Sequence, residues 1–214
     1  MRPVVLGLAA LLALPLPTVA QQPPPGTVRV RIVTSAGAIT LAVDVRHAPK
    51  TAANFLAYVD DGRFDGTQFY RAARTKADPH RGFIQGGVGT DYRRILPSPP
   101  LEPTSKTGLH HVDGTVSMAR GAAEDSATGN FSLMVGENPG LDARGGDKGY
   151  AAFGRVVAGM DVVKRILAMR TSGGRGAMKG QMLDKPVDLI RAERLDGTAH
   201  PTSAVKPWLI GVRR

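Results

Sequence analysis

The sequence predicts a mostly β fold: a closed antiparallel barrel of eight short strands capped by two α-helices. Three observations carry that expectation. About eight short runs of alternating apolar character recur along the chain, separated by turn residues. Only two stretches show helical periodicity, and they lie far apart, so strands do not alternate with helices as a doubly wound sheet requires. The chain also holds 26 Gly and 16 Pro, too many for a helical bundle, because both residues weaken helix interiors.

The elements follow in order. Val28 to Val33 alternates apolar and basic residues, Thr34 to Gly37 reads as a turn, and Ile39, Leu41 and Val43 alternate again, so residues 28–44 form a hairpin. Pro49 suits a first helical turn and Gly62 a stop. Between them Ala52, Phe55, Leu56 and Val59 recur at i, i+3, i+4 and i+7, an amphipathic helix. Gly66 to Arg71 reads as a strand on which Phe69 and Arg71 share a face. A polar loop over 72–81 leads to a short strand, Gly82 to Gly87. The four prolines between Pro97 and Pro103 demand irregular chain. Residues 114–119, 131–135 and 151–157 are strands. Met160 to Arg170 is the second helix, with Val162, Val163, Ile166 and Leu167 on one face. Thr171 to Gly180 reads as a Gly-rich surface loop, and Val187 to Leu195 as the closing strand.

The 214 residues suit one principal domain, and 42% hydrophobic with 21% charged residues excludes a disordered or fibrous chain. Aromatic residues are 5%, so a hydrophobic pocket must be built mainly from aliphatic side chains. Without cysteine there is no disulfide scaffold, thiolate metal site or Cys nucleophile. The net charge of +10 is dispersed, with no block of five consecutive Lys or Arg, and so reads as a basic soluble surface with no specific nucleic-acid partner. Residues 1–20 carry Arg2, an apolar stretch from Val4 to Leu16, and Thr18-Val19-Ala20 before Gln21: a signal peptide whose cleavage leaves 194 residues at net +9. The stretch is short of the about 20 apolar residues a membrane span needs. The expected organisation is signal peptide 1–20, linker 21–27, barrel domain 28–197 and C-terminal tail 198–214. The product would be periplasmic or secreted, with no stable membrane insertion after cleavage.

Most catalytic constellations are missing. His47, His80, His110, His111 and His200 make no metal-ligand pair with a suitable carboxylate. No GxSxG elbow supports a serine nucleophile, and Gly173-Gly-Arg-Gly176 lacks the Lys-Ser/Thr of a phosphate loop. What remains is Arg71 after two aromatics, a directional donor of fixed charge, and Gln85 before a double glycine.

The ordered blocks ITLAVDVRHAPKTAANFLAYVDDGRFDGTQFYR, GFIQGG, GTVSMAR, DSATGNFSLMV, GLD and AAFGRVVAGMDVV change the weight of those two residues. Together they resemble the cyclophilin family of peptidyl-prolyl cis-trans isomerases, in its divergent exported bacterial branch, over about Val28 to Leu195. The resemblance implies a cyclophilin-like eight-stranded barrel with two capping helices. It implies that Arg71 and Gln85 are catalytic, and that Phe83, Ala119, Arg120, Asn130, Ser132, Leu141 and Tyr150 bind substrate. Three departures stand out: Ser132 where a pocket phenylalanine is typical, Gly140 at the cyclosporin-contacting tryptophan, and Tyr150 for a histidine. A lost Phe-sized contact costs on the order of 2 kcal/mol, about 30-fold in affinity, and Tyr150 could partly refill the space. Arg120 replaces an asparagine whose backbone contacts substrate.

The reaction so implied is rotation about X-Pro bonds in proline-containing polypeptides, assisting the folding of exported proteins. It breaks no bond and requires no cofactor or metal, and a monomer is the family's default. The altered pocket keeps a second reading open: a non-catalytic proline-peptide-binding or chaperone module on the same fold. A third is a secreted basic protein that binds nucleic acid or envelope polymer.

Overall fold

The computed structural model of the chain describes Pro23 and residues 25–209. The signal peptide expected over 1–20 and the last residues of the tail lie outside the described residues. Among the described residues the chain runs β1 (Thr27–Thr34), β2 (Gly37–Asp44), α1 (Pro49–Asp60), β3 (Thr67–Arg74), β4 (Gly82–Gly87), α2 (Thr104–Thr107), β5 (Thr115–Met118), β6 (Asn130–Val135), β7 (Ala152–Ala158), α3 (Met160–Leu167), β8 (Thr171–Ser172) and β9 (Met182–Arg194).

The strands pair in the order β1-β2-β7-β5-β6-β4-β3-β9, and β9 returns to β1, closing an eight-stranded antiparallel barrel; β8 is a two-residue addition on β9. Closure removes the sheet edges that would otherwise template association. Alternation fills the interior: Val30 and Ile32, Ile39, Leu41 and Val43, Ile84, Phe131 and Leu133 are all fully buried. The two longer helices cover opposite ends. Val162 of α3 packs at Gly37, where β2 begins, while α1 follows the far end of β2. The core is more aromatic than composition suggested. Phe55, Tyr58, Phe64, Phe69, Phe131 and Phe153 form one cluster with ring centroids 5.1 to 5.7 Å apart, and such ring pairs add stability beyond the area they bury.

Several boundaries differ from the sequence reading. α3 stops at Leu167 rather than Arg170, and α2 is a short turn the sequence did not announce. β9 starts at Met182, ahead of the expected Val187: Met182 and Leu183 pair with β8 and Met182 also with Arg71 of β3, although Asp184-Lys185-Pro186 after them carries little strand signal. The prolines at 97–103 do lie in irregular chain, and that chain has a task. The N-cap position of α1, Ala48, offers no side-chain acceptor, and the Glu102 carboxylate instead accepts from the backbone N–H groups of Lys50 and Thr51 (3.2 and 2.7 Å).

The tail, expected only as an appendage, is docked. The Thr202 N–H and hydroxyl donate to the Asp61 carboxylate (2.7 and 2.6 Å), Lys206 lies 3.2 Å from it, and Arg63 donates to it at 2.7 Å. Asp61 follows the C-terminus of α1 and its side chain is fully buried. Helix polarity is unfavourable for an anion there, so these donors are what make it tenable. Trp208 sits beneath the guanidiniums of Arg63 and Arg94, at 4.7 and 5.1 Å.

Candidate active site

The strand pairing places the candidate residues in one line. Arg71 of β3 is opposite Gln85 of β4, Gln85 is opposite Ser132 of β6, and Ser132 is opposite Ser117 of β5. Two residues along, Phe83 faces Met134. Since side chains alternate across a strand, these residues share the outer face while Ile84, Phe131 and Leu133 point into the barrel.

Phe69 and Arg71 do not share a face. Between them β3 carries one extra residue: Phe69 is opposite Gly86 and Arg71 opposite Gln85, with the register shifting at Tyr70. This bulge reverses the alternation. Phe69 therefore goes to the core with no exposure, while Arg71 lies half-buried in the outer groove. The double glycine after Gln85 has a steric cause as well. A Cβ at Gly86 would run into the Phe69 ring and the Gln68 carbonyl oxygen.

The groove has a volume of about 440 Å³. Arg71, Phe83, Gln85, Ala119, Arg120, Ser132, Leu141 and Tyr150 line it, together with Ser117, Met118, Met134, Ala177 and Met178. A larger hollow of about 640 Å³ lies over β2 and β7 and contains none of the catalytic or substrate-binding candidates from the sequence. Asn130 stands apart from the groove: its side-chain amide accepts from Gly89 N–H and donates to the Gly89 carbonyl (2.8 and 2.9 Å), fastening the loop after β4.

Arg71 is clamped. Its Nη1 donates to Gln85 Oε1 at 2.8 Å, and its Nε and Nη2 both donate to Gln181 Oε1, at 2.9 and 2.6 Å. Gln85 Nε2 donates in turn to the Tyr70 hydroxyl (2.9 Å), which settles which way the amide faces. The Phe83 ring lies 5.0 Å from the guanidinium carbon. Burial pulls the Arg71 pKa down, with Tyr70 and Tyr150 pulling the other way, but a guanidinium stays charged in either case. Of its five N–H groups, the three bonds to Gln85 and Gln181 occupy three. Two remain for a ligand.

Arg120 lines the groove, but its guanidinium is taken up by backbone carbonyls. It donates to the carbonyls of Gly149, Gly121 and Ala122 (2.9, 3.1 and 3.3 Å) and lies 5.0 Å over the Tyr150 ring, so it fixes the wall that Tyr150 forms. Among the described residues no carboxylate lines the groove. Beneath Ser117, His111 is buried. Its Nε2 is 2.8 Å from Ser117 Oγ and its Nδ1 2.6 Å from Asp142. An ionised Asp142 can only accept, so Nδ1 carries the proton and Nε2 accepts from Ser117. Burial pushes the imidazole pKa down by more than Asp142 raises it. Ser117 is 2% exposed, so this chain of bonds braces the segment carrying Leu141 against β5 and offers no nucleophile. No metal-holding group of three His, Cys, Asp or Glu occurs among the described residues.

Two features escaped the sequence reading. Gln181 follows the Gly-rich loop, which is exposed as expected and in addition gives Ala177 and Met178 to one wall of the groove. The Ser117–His111–Asp142 chain joins residues with no shared motif. Only the Gly-Gln junction before β9 could have pointed to Gln181, and it is weak alone.

Residues 29–193 match the family model described as Cyclophilin type peptidyl-prolyl cis-trans isomerase/CLD. The chain is 40% identical over 144 residues to peptidyl-prolyl cis-trans isomerase A of Dickeya dadantii, covering 66% of this chain and 72% of that one. It is 36% identical over 164 residues to the peptidyl-prolyl cis-trans isomerase of Acinetobacter baylyi, covering 77% and 84%. A solved cyclophilin type isomerase of Cryptosporidium parvum, crystallised in the presence of the dipeptide Ala-Pro, superposes with a TM-score of 0.60 at 20% identity, over 79% of this chain and 99% of that one. That likeness is one of fold. With the barrel, the family match and relatives of this similarity in hand, the chain belongs to the cyclophilin-type peptidyl-prolyl cis-trans isomerases and is an enzyme of that class.

Proposed function

We propose that this chain accelerates rotation about X-Pro bonds in exported polypeptides, with Arg71 as the catalytic donor, and so assists their folding outside the cytoplasm. The clamped guanidinium carries this reading: Gln85 and Gln181 take three of its N–H groups, and it lines the same groove as Phe83, Met134 and Leu141. Amide resonance opposes rotation with a barrier of about 18–20 kcal/mol, and uncatalysed exchange takes about 10–100 s. A catalyst must bind the twisted amide better than either planar form. When the amide twists, the prolyl nitrogen becomes pyramidal and regains a lone pair. A free Arg71 N–H can donate to it, and the guanidinium needs no reorganisation because Gln85 and Gln181 already hold it. Phe83, Met134, Leu141 and Tyr150 offer the ring an apolar seat, and each 1.36 kcal/mol of differential stabilisation gives about tenfold in rate. Phe83, Ala119, Ser132, Leu141 and Tyr150 are the substrate-binding residues of this proposal.

The export half of the proposal rests on the leader-like residues 1–20 and on a chain free of cysteine. Mass spectrometry of the chain recovered from outside the cytoplasm should give a protein beginning at Gln21 that speeds the proline-limited refolding of an exported client. A full-length chain confined to the cytoplasm would contradict it.

A further inference from the structure

We propose that Gln181 is a positioning residue for catalysis, the second jaw of the clamp on Arg71; this rests on the isomerase reading above. A single acceptor at Gln85 would leave the guanidinium free to swing about one bond. Gln181 Oε1 receives both Nε–H and Nη2–H, at 2.9 and 2.6 Å, on the far side from Gln85. Three bonds to two fixed acceptors define the plane of the fork, and with it the direction of the two N–H groups left over.

Gln181 is itself held. Its carbonyl accepts from the Ala72 N–H at 2.9 Å, next to Arg71, and its own N–H donates to the Met178 carbonyl at 3.0 Å. The loop before it keeps a tight path because Gly174 has φ +76° and a Cβ there would collide with the Met178 carbonyl oxygen. The same loop brings Ala177 and Met178 to the groove wall. The loop that shapes one side of the substrate site therefore also sets the aim of the catalytic donor. Loop and arginine are coupled through one side chain.

The test uses Gln181→Met, which keeps length but replaces the amide oxygen with a thioether that accepts only weakly, and Gln181→Glu, which keeps a strong acceptor. Turnover of an Ala-Pro peptide is measured over a range of concentrations to separate kcat from KM. Water exchange of the Arg71 Nε–H is followed by NMR, and melting is checked. For Gln181→Met we expect kcat to fall roughly 10- to 100-fold, the scale of a small misplacement of a reacting group. KM should stay within about twofold, and Nε–H exchange should quicken. Gln181→Glu should restore most of kcat and slow Nε–H exchange. In an Arg71→Ala background, Gln181→Met should cost nothing further. Wild-type kcat in Gln181→Met, an equal loss in Gln181→Glu, or a full additional loss without Arg71 would each overturn the proposal. If the wild-type chain itself gives no turnover, the isomerase reading fails. Nε–H exchange then still decides the clamp, with slow exchange in the wild type supporting it and fast exchange overturning it. Should Gln181→Met not fold, wild-type exchange and Gln181→Glu turnover decide in the same way.

Discussion

At Gly140 a Cβ would meet no other atom within 4 Å, so the chain has open space where sensitive relatives, by the resemblance of the GLD block, carry an indole. Cyclosporin should therefore bind more weakly than about 1 μM, a free energy of roughly −8 kcal/mol, and Gly140→Trp should tighten it. Titration by calorimetry checks both, and sub-micromolar binding to the wild type would contradict the register assigned to that block. His111 makes a second prediction at this scale. Its folded pKa lies below the unfolded value near 6.5 because burial disfavours the imidazolium. The unfolded chain thus takes up the proton first. Stability from this group is complete above about pH 6.5 and is lost as pH falls toward the folded pKa. Urea midpoints between pH 7 and pH 5 should decline in the wild type and decline less in His111→Gln; parallel declines would contradict the assignment. Asp142 titrates lower. Its burial alone would raise it, but the bonds from His111 and His110 together hold it below its usual range.

Among the elements, the docked tail makes a demand the barrel alone does not. Asp61 is fully buried at the end of α1, and Thr202 supplies two of its donors. Thr202→Val removes the hydroxyl bond to a charged group, worth about 1.5–3 kcal/mol. For a chain of this size, melting should fall by roughly 4–10 °C. Turnover should be unchanged, since no described tail residue lines the groove. An unaltered melting temperature would mean that the tail bond does not carry the load. Legibility in the sequence divides along the same physical line. The hairpin of β1 and β2 and the buried faces of α1 and α3 were readable, because each repeats with its own local period. The bulge at Tyr70 was not, since it is set by what β4 and β9 offer opposite β3 rather than by residues 69–71. Gln181 and the tail were invisible for a related reason: their meaning lies in partners 110 and about 140 positions away. Arg71 and Gln85 stood out by elimination, but gained weight only through the order of blocks around them.

Taken whole, the molecule separates support from chemistry. The closed barrel, with an aromatic core and helices over both ends, fixes the outer row Arg71–Gln85–Ser132–Ser117 to the register of four strands, and sites on strands are held more closely than sites on loops. The two outside contributors are the loop ending at Gln181 and the segment carrying Leu141 and Tyr150, and each is tied back by its own hydrogen bonds. With no covalent step to perform, a rigid donor and an apolar wall are sufficient for the reaction. The central claim is that Arg71, held in this frame, lowers the barrier to X-Pro rotation. Its most direct test is NMR exchange on an Ala-Pro peptide with the chain at catalytic concentration and Arg71→Ala beside it. We predict accelerated exchange in the wild type, and a loss of most of it, about 100-fold or more in kcat/KM, in a variant that still melts cooperatively. Equal acceleration by both proteins, or none from a folded wild type, would contradict the account.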